Sequence, residues 1–323
     1  MIKSPIAYPG AKGKVCDKLM QMVPFGIEDW REPFFGGGSV TIAFLQSAQG
    51  QTCKRFVVGD LYKEVYLFWK SLQQNPQELI SYATEWFDSN MKSLRNLRNT
   101  PPGTPEYDEL YKYVTEVEAK KLWSWVQSVN TESLSDIQRG ARFYLSSKMS
   151  FSGVADSGGM SKERVLEIDT SKLDHLYEVS NLLQKVEIYN QSFEYTMADV
   201  DRDKSFIFLD PPYITQEVGN LYGKNGSTHK GFPHEKLASL CLSTPCRWLV
   251  TIDDCVKARR YYYGAVINNF YIPYTMTSLV GRENRLNGEE LLISNYDIYD
   301  KQNWGQPSSQ QSIQDNLLEQ FGF

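Results

Sequence analysis

Histidine and cysteine are scarce in this chain. Its three histidines (His175, His229, His234) and five cysteines (Cys16, Cys53, Cys241, Cys246, Cys255) are scattered. None falls at the close paired spacing of a zinc site, so a metal centre is not expected. Unpaired thiols of this kind suit buried, reduced cysteines in a cytoplasmic protein. No apolar stretch is long enough to span a membrane, and Met1-Ile2-Lys3-Ser4-Pro5 is no signal peptide. An excess of positive charge is also missing: the net charge is -5 and the pI about 5.4. This excludes a uniformly basic nucleic-acid coat but leaves room for a local basic cleft. Two phosphate motifs are absent as well. No Gly-Lys-Ser/Thr P-loop occurs, and the glycine turn Gly36-Gly37-Gly38 has Thr41 where a dinucleotide fingerprint needs a third glycine.

The 323 residues are 41% hydrophobic, enough for a sizeable core. Strand and helix signals alternate at first. Lys14 to Met22 reads as a short helix, Trp30 to Phe34 as a strand end and Ser39 to Gln46 as a helix. Phe56 to Asp60 reads as a strand and Glu64 to Gln73 as an amphipathic helix. This rhythm predicts a parallel, doubly wound α/β sheet. From Pro76 it gives way to helical patterns, ending in an aromatic-rich helix at Gln138 to Lys148 and a Gly-rich loop or hairpin tip at Ser150 to Gly159. The α/β rhythm resumes with strands at 186–189, 205–209 and 248–252. An antiparallel hairpin is expected at 266–273 and 290–296, with a polar tip at 281–288. The expected division is a catalytic domain at 1–74 and 181–303, an inserted domain at 75–180, and a polar tail at 304–323.

Asp210-Pro211-Pro212-Tyr213 follows the apolar run Ser205 to Leu209. Two prolines stiffen the backbone and remove N–H donors, leaving carbonyls free to accept hydrogen bonds. A carboxylate before this turn and an aromatic ring after it suit a planar group with an exocyclic amine, such as a nucleobase. The same four residues, taken alone, also describe an ordinary strand stop. Gly36 to Gly38 lets backbone approach a ligand closely. Asp60 sits where an acid binds ribose hydroxyls, although it equally suits a helix N-cap. Tyr8-Pro9-Gly10-Ala11-Lys12 combines an aromatic, a turn and a cation, as either a binding loop or a plain turn.

In this order Tyr8 to Lys12, Glu32 to Val40, Asp60 and Asp210 to Tyr213 resemble the Dam-type DNA adenine N6-methyltransferases of the α group. The resemblance spans about residues 5 to 300. It implies an S-adenosylmethionine-binding, Rossmann-like α/β sheet with an inserted helical plus hairpin domain that reads double-stranded DNA. By this resemblance Tyr8, Gly10, Lys12, Phe34, Gly36, Gly38, Ser39, Phe193 and Asp210 line the cofactor site, and Asp60 holds its ribose. Asp210 and Pro211 grip the amine of a flipped adenine and Tyr213 stacks on it, with Phe232 as a candidate for the other face. Duplex DNA hides that amine, so the base must leave the stack.

Arg139, Arg142 and Lys148, and Arg282 with Arg285, are candidate phosphate contacts, as are Lys257, Arg259 and Arg260. Phe151, Ser152 and Val154 lie where the family reads its site. GATC-specific members carry an aromatic, an Asn and an Arg there; Phe151, Ser152 and Asp156 depart from that, so GATC is not expected. Asp156 would suit a cytosine amine. Competing readings are an N4-cytosine DNA or RNA methyltransferase, which more often has Ser at the Asp210 position, and a catalytically idle DNA-binding protein. The expected enzyme is a cytoplasmic, nucleoid-associated monomer, with a cognate restriction endonuclease as a candidate partner.

Overall fold

The computed structural model of the protein describes residues 1–156, 158–216, 231–272 and 288–299. Seven strands form one sheet: β1 (Asp29–Glu32), β2 (Arg55–Gly59), β3 (Val186–Tyr189), β4 (Ser205–Leu209), β5 (Arg247–Asp253), β6 (Val266–Ile272) and β7 (Gly288–Ser294). Their order is β3-β2-β1-β4-β5-β7-β6. The first five run parallel; β7 is antiparallel to both β5 and β6. Every residue of β4 and β5 is buried, as a parallel sheet covered on both faces requires. Successive side chains alternate between two cores: Phe206 and Phe208 pack on one face with Trp30 and Phe56, while Ile207 and Leu209 pack on the other with Trp248 and Val250. Truncating a residue as enclosed as Phe206 would cost about 3–5 kcal/mol.

Strand and helix positions read from the pattern agree closely with this architecture. The helix Ser39–Gln46, the strands β3 and β4, and the β6–β7 antiparallel pair fall where the sequence placed them. The polar tip with Arg282 and Arg285, apart from Gly288, and the tail after Trp304 lie outside the described residues.

Between the helix Lys63–Gln74 and β3 the chain is helical. The central helix there, Asp136–Met149, starts with a capping box between Ser135 and Gln138. All its residues from Arg139 to Ser147 are buried, so it is enclosed on every side. Its apolar residues Ala141, Phe143, Tyr144 and Leu145 belong to the same core as Phe68 and Trp69 of the helix Lys63–Gln74. These helices therefore continue the packing of one sheet face. Among the described residues no helix is long and apolar enough to cross a membrane.

β1 pairs with β2 on one side and β4 on the other, and the strand order reverses there. Ligands of open α/β sheets bind beyond the strand C-termini at such a reversal, because diverging connections leave a crevice. Glu32 ends β1, Gly59 precedes Asp60 at the end of β2, and Leu209 precedes Asp210 at the end of β4.

Candidate active site

A cavity of about 250 Å³ occupies that crevice. Tyr8, Lys12, Phe34, Gly36, Gly38, Ser39, Asp60, Phe193, Asp210 and Phe232 all line it, from segments as distant as 8 and 232. Gly10 lies beside it, its carbonyl accepting from Lys12 Nζ at 3.0 Å. The glycine turn is dictated by shape. Gly38, at φ 66°, precedes the helix Ser39–Gln46. A β-carbon on it would meet the Trp69 ring at 2.8 Å and the Phe35 ring at 3.0 Å. Asp60 fastens this turn: its Oδ2 accepts from Gly36 N and its Oδ1 from Tyr62 N, both at 2.8 Å. Phe34, Phe193 and Phe232 form an aromatic wall, with ring centroids 5.6–5.8 Å apart. Phe232, considered for a flipped base, thus joins the two rings expected on the cofactor side.

The cavity is rich in buried acid. Burial pushes the Glu32 carboxyl up to about 8, with the nearby Asp210 and Asp60 charges adding to it; hydrogen bonds from Thr41 act the other way. Burial likewise pushes Asp60 up to about 6, against the N–H groups of Tyr62 and Gly36. Glu32 was missed as a site residue in the sequence, although it opens the Glu32-Pro33-Phe34 motif. Its Oε2 accepts from Thr41 N at 3.1 Å and from the Thr41 hydroxyl, which also accepts from the Trp30 indole at 2.7 Å.

Lys12 is the counter-charge. Its buried ammonium donates to Asp210 Oδ1 at 2.7 Å and Oδ2 at 2.9 Å, and to the Tyr213 hydroxyl at 2.9 Å. Glu290 Oε2 lies 3.7 Å away on β7. Burial pulls the Lys12 pKa down, but Asp210 and Glu290 outweigh it and leave it raised, so Lys12 is charged. Thr251 Oγ1 on β5 donates to Asp210 Oδ1 at 2.7 Å. Two residues on, Asp253 accepts from Ile214 N and Thr215 N, each at 2.8 Å. The Asp-Pro-Pro-Tyr turn is thus held from Lys12 and from β5. Pro211 is buried. Tyr213 is only 8% exposed, so the stacking surface expected of it is not open in this conformation.

The expected DNA contacts divide. Arg139 and Arg142 are buried and paired: Arg139 with Glu64, Arg142 with Glu64 at 3.4 Å and Asp156 at 2.9 Å. A phosphate role does not suit guanidinium groups already committed to buried carboxylates. Asp156 does not suit a cytosine amine either, since it accepts from Arg142 and from the Tyr62 hydroxyl. Arg259 is held by Asp254 at 2.7 Å. Lys148 is half-buried, its pKa lowered by burial and by Arg164. Phe151 is exposed and Val154 half-buried, in a loop closed by an antiparallel bridge between Ser150 and Met160. The backbone of Ser152 belongs to the same short 3-10 turn, Phe151–Gly153. This loop presses on the cavity wall: Gly153, at φ 76°, packs so closely that a β-carbon would lie 2.5 Å from the Ala7 carbonyl carbon.

The sheet order and the cavity at its reversal make this a doubly wound α/β protein with a ligand site at the strand C-termini. The sequence model of the D12 class N6 adenine-specific DNA methyltransferases matches residues 8–278. The chain belongs to that family and is a site-specific adenine DNA methyltransferase. It is 22% identical over 236 residues to a type II methyltransferase, M1.LlaDCHI, of Lactococcus lactis subsp. cremoris, covering 71% of each chain. It is 24% identical over 225 residues to M.MjaIII of Methanocaldococcus jannaschii, covering 66% of this chain and 69% of that one. It is 20% identical over 303 residues to M.CviBI of Paramecium bursaria Chlorella virus NC1A, covering 91% of this chain and all (100%) of that one.

Proposed function

We propose that this enzyme is a Dam-type, α-group methyltransferase that takes its methyl group from S-adenosylmethionine and places it on N6 of an adenine flipped from duplex DNA. The observation that carries this reading is the set of acids on the cavity: among the described residues Glu32, Asp60 and Asp210 line it together with Lys12, which pairs with Asp210. Such a site favours a cationic ligand and disfavours a pyrophosphate. When bound, S-adenosylmethionine supplies an electrophilic methyl group. Glu32, whose carboxyl burial holds neutral up to about 8, gains most by meeting positive charge. Asp60, which lines the cavity at the end of β2, would take the ribose hydroxyls, and Phe34 and Phe193, whose rings lie side by side on its wall, would take a flat ring.

The target amine would donate one N–H to Asp210 and the other to the Pro211 carbonyl. These bonds draw its lone pair out of the ring and orient it for displacement, so positioning and electrostatics supply the rate. As the bond from N6 to the methyl forms, the methyl–sulfur bond would break to leave a neutral thioether; the carboxylate would balance the positive charge on nitrogen until the methylated amine gives a proton to solvent. Asp210 favours adenine over cytosine. Tyr213 is assigned as the stacking platform, which requires its ring to be uncovered when the base enters.

We assign DNA recognition to the inserted residues 75–180, with Phe151, Ser152 and Val154 toward the bases and Lys148 toward phosphate; Arg282 and Arg285 are further phosphate candidates. Arg139 and Arg142 shape this region from within. The relatives named above are type II methyltransferases, which supports a role beside a restriction endonuclease. We place the enzyme in the cytoplasm, acting on DNA as a monomer. Sequencing of DNA from cells expressing the chain, with N6-methyladenine detected directly, tests the reading. It should show one modified motif other than GATC; no N6-methyladenine, or N4-methylcytosine instead, would refute it.

A further inference from the structure

We infer that Thr251 and Asp253, the last inward-facing pair of β5, are positioning residues that leave Asp210 Oδ2 as the one acceptor for the target amine. The inference rests on the reading of Asp210 as the amine's acceptor. A carboxylate offers about four lone-pair sites. Among the described residues Asp210 Oδ1 takes two donors, Lys12 Nζ at 2.7 Å and Thr251 Oγ1 at 2.7 Å, while Oδ2 takes one, Lys12 Nζ at 2.9 Å. Oδ1 is therefore filled, and the open site is on Oδ2 of a side chain that lines the cavity.

Lys12 alone spans both oxygens and cannot decide which one remains open. Thr251 breaks that symmetry. It is wholly buried, and its hydroxyl also lies 3.4 Å from the Leu209 carbonyl, so it is seated on β4 beside the residue it orients.

Asp253 solves a second problem. Pro211 and Pro212 carry no N–H, so the turn cannot be fastened through its own donors. The donors just beyond it, Ile214 N and Thr215 N, each reach one oxygen of Asp253 at 2.8 Å. Thr251 and Asp253 lie two apart on one strand and so share a face. One holds the acid before the prolines and the other the backbone after them. Together they set the angle between Asp210 Oδ2 and the Pro211 carbonyl, the two acceptors that one amine must meet.

The test compares Thr251→Val, which keeps volume and removes the hydroxyl, with Thr251→Ser, which keeps the hydroxyl, and adds Asp253→Asn. Steady-state kinetics are run at the DNA site the wild type methylates. Binding is measured for that duplex and for one with unsubstituted purine, lacking the 6-amino group, at the target. In Thr251→Val, kcat should fall about 10- to 100-fold, as for a displaced reacting group, with both KM values within about twofold. The preference for adenine over purine should shrink with it. Thr251→Ser should restore both, and Asp253→Asn should behave like Thr251→Val. Thermal melting reports folding; if Asp253→Asn does not fold, the Val and Ser pair decides. Wild-type kcat and adenine preference in Thr251→Val would overturn the inference. An inactive wild type would refute the underlying reading instead.

Discussion

Two clusters of buried basic and acidic side chains, one built on arginine and one on lysine, stand in contrast. Around Arg139 and Arg142, two guanidinium groups meet two buried carboxylates, Glu64 and Asp156, and Tyr62 adds a donor. The exposed Glu132 adds a further partner to Arg139 at 3.3 Å, and the cluster joins the helix Lys63–Gln74 to the helix Asp136–Met149 and to Asp156. Around Lys12, one ammonium meets Asp210 and Glu290, with Glu32 and Asp60 close by on the same cavity. Among the described residues, Glu32, Asp60 and Asp210 border open space here. The first cluster is closed upon itself between packed helices; the second borders a cavity.

The sharpest way to break the first cluster is Arg142→Met. It leaves Asp156 and Glu64 buried with too few donors, and should cost about 3–5 kcal/mol of stability. Denaturant unfolding measures it, and the Asp210 chemistry should change less than the stability. At the cavity, Gly38→Ala forces an L-residue to φ 66° and into the Trp69 ring. Backbone strain alone is about 1–2 kcal/mol, so cofactor affinity by calorimetry should fall at least tenfold.

The raised acids of the cavity predict a pH dependence. Burial pushes Glu32 from its ordinary 4.5 up to about 8 and Asp60 from its ordinary 3.8 up to about 6. Both are raised, so the free protein loses stability as pH climbs from the unfolded values toward the folded ones, where the unfolded chain has ionised and the folded one has not. A cation in the cavity favours the ionised forms. Affinity for S-adenosylmethionine should therefore rise between pH 6 and 8, by up to about tenfold per pH unit for each proton released. Thermal stabilisation by the cofactor should grow over the same window; a flat profile would remove the electrostatic part of the account. The mildest change is Phe232→Ala, which opens one edge of the aromatic wall and should weaken cofactor binding by about 1 kcal/mol.

The contrast also explains what the sequence could tell. Asp210, Gly36 to Gly38 and Asp60 were legible because strand ends and glycine turns are local signals. Arg139 and Arg142 read as a basic stretch because their acids are remote: Glu64 lies 75 residues from Arg139, and only the packing of two helices brings them together. Asp156 is tied by Tyr62, 94 residues away, and by Arg142, 14 residues away, pairings that carry no local signature in the sequence. Thr251 and Asp253 carried a usable signal. Polar residues at alternate positions near the end of a wholly buried strand have to face something polar. Which turn they face is a matter of sheet order and could not be read from spacing.

The most direct test of the central claim is transfer of labelled methyl from S-adenosylmethionine to adenine-containing duplex DNA by folded Asp210→Ala, with cofactor and DNA affinity measured in the same samples. The account predicts that affinity persists while transfer falls by about 10²-fold or more, the scale of a lost transition-state contact. Transfer near the wild-type rate would contradict it.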